Sequence, residues 1–205
     1  MRDLDVNAGG ALDASAFGYC GIVQSNSVWY GLGPGGTRRG AGSHGGVGGR
    51  INTSYPAGEV YGCSNAPVQA GSSGANDTTA GYAGGGVVRV EARSISCAGA
   101  IRADGYYRVA NTMHFGSGGS VYLRCRHFTG TETGLITADG GGGGNYPAGG
   151  GGRVAVWRAK DFSTGQATAT ALAGKTTTAT AVYQGTEGTV VWGFIPPSGT
   201  VLLMR

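Results

Sequence analysis

An apolar run alternating with polar residues recurs at one spacing along the chain. Gly85-Gly86-Val87-Val88-Arg89-Val90-Glu91-Ala92 is followed by Gly118-Gly119-Ser120-Val121-Tyr122-Leu123-Arg124-Cys125 and then by Gly151-Gly152-Arg153-Val154-Ala155-Val156-Trp157-Arg158. The copies start at 85, 118 and 151, a period of 33. A shorter copy is Gly188-Thr189-Val190-Val191-Trp192. Alternation sends successive side chains to opposite faces of a strand. A second phrase follows two of the copies, at Gly99-Ala100-Ile101-Arg102-Ala103-Asp104-Gly105 and Gly134-Leu135-Ile136-Thr137-Ala138-Asp139-Gly140, with relatives at Gly10 to Ala14 and Gly165 to Ala169. Self-similarity at such a period indicates a stack of repeats.

One 33-residue unit has room for two strands and a glycine-rich return. That is the content of one coil of a right-handed parallel β-helix, with equivalent strands in register about 4.8 Å apart. Parity then assigns inward columns: Val88, Val121 and Val154; Val90, Leu123 and Val156; Leu12, Ile101 and Ile136, with Ala14, Ala103 and Ala138 beside them. Outward, Glu91, Arg124 and Trp157 should stack, as an ion pair and a cation–π contact. Thr137 and Thr168 should form a hydroxyl ladder. Leu4 to Val6 and Ala11 to Ala14 read as a strand pair. The chain reads as one all-β solenoid domain over 1–194. Residues 17–83 are an excursion too long for an ordinary loop, packed along one side through its own backbone hydrogen bonds. Residues 195–205 read as a cap or linker, with Thr200 to Met204 as a candidate last strand.

Composition sharpens this picture. Glycine supplies 44 of the 205 residues with only 6 Pro and no Gly-X-Y period, which excludes collagen. Hydrophobic residues make up 40% and lie in patterned runs, which argues against disorder, so glycine here serves tight turns and close backbone stacking. Helix is disfavoured because no stretch shows apolar spacing of three and four. The net charge of +4 is too weak to point to nucleic acid. No run has the length of a membrane span. The opening Met1-Arg2-Asp3-Leu4-Asp5-Val6 has no leader character and reads as a strand already under way, as in a piece of a longer chain.

Four cysteines, Cys20, Cys63, Cys97 and Cys125, have no CxxC pairing, which disfavours zinc. Their even number in a Gly- and Thr-rich chain suggests an oxidising, extracytoplasmic setting. Cys20–Cys63 is the favoured bridge, since both flank the glycine-rich excursion; Cys97 and Cys125 are either a second bridge or free thiols inside the stack.

The ordered series of motifs resembles a known class. A Gly42-Ser43-His44-Gly45-Gly46-Val47-Gly48-Gly49 block precedes Tyr61-Gly62, Pro67 and Gly71-Ser72-Ser73-Gly74, and then come the two recurring phrases. This resembles the glycine-rich β-helical repeat regions of large secreted or surface-exposed, adhesin-like proteins, from about Leu4 to Trp192. The resemblance implies an extracellular or cell-surface scaffold joined to flanking domains of the same polypeptide. It carries over no catalytic residue.

Candidate chemistry is sparse. Asp13, Asp104 and Asp139 recur at strand ends. They read as Asx turns, with Ca²⁺ between repeats as the alternative, although the tandem calcium-binding repeat pattern is missing. Arg38, Arg39 and Arg50, with His44 nearby, are candidates for an acidic polysaccharide or for bonding the excursion's own carbonyls. Tyr122 and Trp157 form a candidate sugar platform or a lateral packing face. Thr168, Thr170, Thr176, Thr178 and Thr180 lie along one segment and make no flat ice-binding array. Asn52-Thr53-Ser54 and Asn76-Asp77-Thr78 are sequons if the source is eukaryotic. With no Gly-x-Ser-x-Gly elbow and most of its carboxylates accounted for as turn or face residues, the chain reads as a non-catalytic structural or adhesive module. The alternatives are a polysaccharide-binding or polysaccharide-degrading β-helix domain and a self-assembling filament subunit.

Overall fold

A computed structural model describes residues 2–25, 28–75, 82–107 and 114–196. They form an all-β solenoid of about three turns. The first wall is a parallel five-stranded sheet in the order β1 (Asp3–Val6), β5 (Val87–Cys97), β7 (Ser120–Gly130), β9 (Arg153–Asp161), β11 (Thr189–Phe194). The second is a parallel four-stranded sheet of short strands, β2 (Ala11–Asp13), β6 (Ala100–Arg102), β8 (Leu135–Thr137) and β10 (Thr168–Thr170). A separate antiparallel hairpin joins β3 (Ile22–Ser25) to β4 (Val28–Gly31). A single 3₁₀ turn covers Ala181–Tyr183. β1 and β2 are not paired with each other, as their closeness in sequence suggested; each docks on a different wall.

The expected columns form. Val88 pairs with Val121 and Val121 with Val154; Val90 with Leu123 and Leu123 with Val156. Leu12, Ile101 and Ile136 line up across the second wall. Val121, Leu123, Val154, Val156, Ile101, Ile136, Ala103 and Ala138 are fully buried. Burying such side chains is worth about 1.5–3 kcal/mol for each of the large ones, so the columns are the main adhesive of the stack.

Two registers differ from expectation. Thr137 pairs with Thr170, not Thr168. The shift is two residues, so parity is kept and Ala169 continues the Ile136 column. Each long strand also runs past Ala92 or its equivalent. The ladder skips Arg93 and Arg126, and inward parity changes from Ala92 to Ile95. Ile95 and Phe128 therefore add a further buried column, with Leu4 packed against it.

The third wall belongs to no sheet. It consists of glycine-rich segments from the returns and from the 17–83 excursion, bonded backbone to backbone. Successive amides go to different neighbours: Gly149 N–H to Gly141 C=O at 2.9 Å, Gly150 N–H to Gly42 C=O at 3.0 Å, Gly151 N–H to Thr186 C=O at 3.0 Å. The fourth, Gly152, returns to the first neighbour, at Ala138 C=O. Likewise Ser117, Gly118 and Gly119 donate to Ser72, Gly150 and Ala103. A three-residue period of donor direction is that of the polyproline II helix, which has no internal hydrogen bonds and leaves every amide for a neighbour. Glycine is required because the backbones touch. A Cβ built on Gly118 or Gly149 would collide with the carbonyl oxygens of Ala138 and Gly116. The excursion bonds both to itself, as with Ala41 N–H to Gly49 C=O and Ser73 N–H to Leu32 C=O, and to the coils, as with Gly42 N–H to Phe115 C=O and Gly45 N–H to Gly151 C=O.

Candidate functional site

The most concentrated polar chemistry lies where the excursion meets the third coil. The Gly-rich block threads His44 into the third wall, where the residue has no solvent exposure. Its Nδ1 lies 3.0 Å from the Gly118 carbonyl, which can only accept, so Nδ1 carries the hydrogen. The ring packs on Tyr61 with centroids 4.6 Å apart. Burial outweighs the Gly118 hydrogen bond and lowers the His44 pKa from 6.5 to about 4, so the ring is neutral. Its Nε2 has no partner among the described residues.

Around His44 stand Tyr61, Arg153 and Cys63. Arg153 is buried; its Nε donates to the Tyr61 carbonyl at 2.8 Å and one terminal nitrogen to Thr189 Oγ1 at 3.1 Å. The Tyr61 hydroxyl donates to the Ala70 carbonyl at 2.6 Å, and burial raises its pKa to about 12. Cys63 is exposed, and backbone N–H groups of Ala66 and Asn65, with Arg153 beyond them, hold its thiol below the ordinary range. The set comprises a neutral imidazole, a guanidinium spent on internal acceptors, and an exposed thiol whose thiolate the neighbouring backbone N–H groups favour. It can react with electrophiles at Cys63.

Buried serines complete the network. Ser72 Oγ accepts from Gly35 N–H, Ser117 Oγ accepts from Ser72 N–H, and Ser43 Oγ accepts from Gly48 N–H while donating to the Gly58 carbonyl. Sequence reasoning missed Arg153, Tyr61 and these serines. For the serines the one signal was a preceding glycine, as in Gly42-Ser43, Gly71-Ser72 and Gly116-Ser117, which marks places where a backbone too crowded for a larger side chain still needs a donor or acceptor.

The remaining candidates disperse. Arg38 and Arg39 lie over the Tyr55 ring at 5.1 and 5.9 Å, and Arg50 donates to the Tyr55 carbonyl at 3.1 Å. These three come together, away from buried His44, and they tie down the excursion's tip. Arg39 sits at φ +49°, a left-handed conformation rare outside glycine. Asp13 makes a local Asx turn to Ser15 N–H. Asp104 and Asp139 instead accept across coils. Asp104 takes Asp139 N–H at 2.7 Å and the Thr137 hydroxyl at 2.9 Å; Asp139 takes Leu172 N–H at 2.7 Å. Among the described residues no three His, Cys, Asp or Glu side chains gather as a metal site.

Tyr122 and Trp157 point outward on adjacent coils but are not opposite one another; their partners are Ala155 and Arg124. Arg89 lies over the Tyr122 ring at 5.5 Å, and Trp157 Nε1 donates to the Asn65 carbonyl at 2.7 Å, so the excursion packs on it. Glu91 pairs with Arg89 at 2.8 Å and more loosely with Arg124 at 3.8 Å. The cation–π contact expected at Arg124 forms instead at Arg158 over Trp192, 4.9 Å.

All four cysteines are free, so the expected Cys20–Cys63 bridge is not formed. Cys97 and Cys125 are buried; Cys97 faces Gly130, five residues along β7 from Cys125, roughly 16 Å at strand rise and beyond disulfide reach. The sequon at Asn76, the candidate strand at Thr200 to Met204 and nearly all of the proposed cap lie outside the described residues.

These features define a glycine-packed β-solenoid. No family model, no curated protein and no solved structure matches the chain.

Proposed function

We propose that this protein is a non-catalytic structural or adhesive β-solenoid module acting outside the cell, within a larger secreted or surface protein. The observation that carries the reading is the third wall. Its amides bond in three directions and lock the excursion to successive coils, as Gly18 to Gly84, Gly42 to Phe115 and Gly46 to Gly151 show. Such cross-linking suits a part that transmits load or holds a surface in shape. The distribution of polar groups supports the same reading: the carboxylates of Asp104 and Asp139 and the guanidinium of Arg153 are spent on internal partners. The low charged fraction, 13%, and the Gly- and Thr-rich composition favour an extracytoplasmic setting.

Single-molecule pulling across residues 3 and 194 tests the reading, together with a glycan array and a polysaccharide turnover assay. A module of this kind unfolds at high force in one or a few cooperative steps and turns over no polysaccharide. Turnover of any acidic polysaccharide, or gradual yielding at low force, refutes it.

A further inference from the structure

The two ends of the stack are incomplete in complementary ways. At the first end β1 covers only Ser94–Cys97, and no described strand pairs with the outer edge of Val87–Ala92. A cleft of about 480 Å³ opens there over Leu4, Leu12, Ala14, Val88 and Val90. At the other end β11 covers only Arg153–Arg158, and a cleft of about 460 Å³ lies beyond it, against Phe128, Asp161, Gly165 and Trp192. Carried through the ladder, Thr189 to Phe194 occupy the level of Val87 to Ala92, while Asp3 to Val6 occupy that of Ser94 to Cys97. One end supplies the first half of a coil and the other end the second half.

We propose that a second copy of this chain docks head to tail, its β11 pairing in parallel with the free edge of β5 while β1 fills the opposite cleft. The register then sets Val190 on Val88, Trp192 on Val90 and Phe194 on Ala92, all apolar and inward. It covers two exposed apolar side chains at the open end, Val190 at 39% and Phe194 at 62%. Outward, Asp3 meets Lys160. In the second wall Ala169 covers Leu12, and Thr170 faces Asp13. The Thr170 hydroxyl is buried without a partner among the described residues, and Asp13 brings an acceptor to it. The one mismatch is Leu4 against Asp161, whose carboxylate is already tied to Arg158 and Ser163. The contact joins two different surfaces, so it does not close, and copies add into a filament. Each copy contributes four strand levels, an axial repeat of roughly 19 Å at 4.8 Å per level.

The assembly extends the scaffold reading and rests on it, but the two fail separately: a monomer with an intact stack refutes the joint alone. The test uses the full chain with Cys20→Ser and Cys63→Ser, to which Arg89→Cys and Val191→Cys are added. Mild oxidation should give a ladder of disulfide-linked multimers at least about tenfold faster than the pair Glu91→Cys and Val191→Cys, which is two residues out of register. Without crosslinking, sedimentation should show mass rising with concentration above 20.4 kDa. Val190→Lys should abolish that rise while leaving the circular dichroism and melting temperature of the parent. A monomer at all concentrations, or equal crosslinking of both pairs, overturns the proposal. So does assembly that appears only when residues 197–205 are removed, because the chain's own tail would then be the occupant.

Discussion

Lowering the pH should unseat His44, and the cost follows from its surroundings. The ring is fully buried in the third wall, with Nδ1–H committed to Gly118. Its pKa is about 4 in the fold against 6.5 in an unconstrained chain. Above pH 6.5 neither state is protonated and the group costs nothing. As pH falls below 6.5 the unfolded chain takes up a proton that the fold refuses, so stability is lost progressively until the folded ring titrates near 4. A difference of about 2.5 units at 1.36 kcal/mol per unit sets a ceiling of about 3.4 kcal/mol, of which about 2 kcal/mol is lost by pH 5. Burial raises the carboxyl pKa of Asp104, against the bonds from Asp139 N–H and Thr137, and this acts with the opposite sign, stability falling as pH rises through that range. His44→Gln keeps an N–H for Gly118 and removes the titration, so comparison cancels Asp104. Denaturant unfolding at pH 7.5, 6 and 5 should show the parent losing about 2 kcal/mol more than the variant. Parallel slopes for the two proteins, or a folded-state His44 resonance titrating near 6.5, would refute the buried placement of this ring.

The other expectations are as follows. Gly118→Ala and Gly149→Ala should each destabilise by about 3 kcal/mol or more, read as a shift in denaturation midpoint, because the atoms displaced are backbone carbonyls; in a loose loop the same change stabilises by about 0.4–1 kcal/mol. In the native protein a thiol reagent should label Cys20 and Cys63 at once, Cys63 first, while Cys97 and Cys125 react only on unfolding. Leu123→Ala, in a fully buried column, should cost about 2–5 kcal/mol, against under about 1 kcal/mol for Val190→Ala at the open end. Chelation of divalent ions should leave the melting curve unchanged, since Asp104 and Asp139 already hold backbone amides.

The columns are readable from the sequence because strand parity and a constant period leave Val121 few neighbours other than Val88 and Val154. The same logic misplaced Thr168 by two residues, where the connection from β9 to β10 breaks the period and parity alone cannot register the slip. The shift after Ala92 is written in the chain as two consecutive polar residues, Arg93-Ser94, before Ile95-Ser96-Cys97 resumes the alternation in the other parity, but the repeated phrase was followed only as far as Ala92. The third wall was legible only as an excess of glycine: its bonds link residues such as Gly42 and Phe115, or Gly46 and Gly151, that no periodicity connects. His44 looked like a companion of the arginines for the same reason, being close to them in sequence while its ring belongs to the wall. The cysteine count pointed to a Cys20–Cys63 bridge that the fold does not form, while Cys97 and Cys125 take one of the two readings open to them, free thiols packed as small hydrophobes inside the stack.

Scalar couplings across hydrogen bonds, measured by NMR on labelled protein, test the glycine-packed stack most directly. The amides of Gly149, Gly150 and Gly151 should couple to the carbonyls of Gly141, Gly42 and Thr186 in turn. Couplings from all three amides to one neighbouring strand, or amides that exchange with solvent as fast as a free loop, would contradict it.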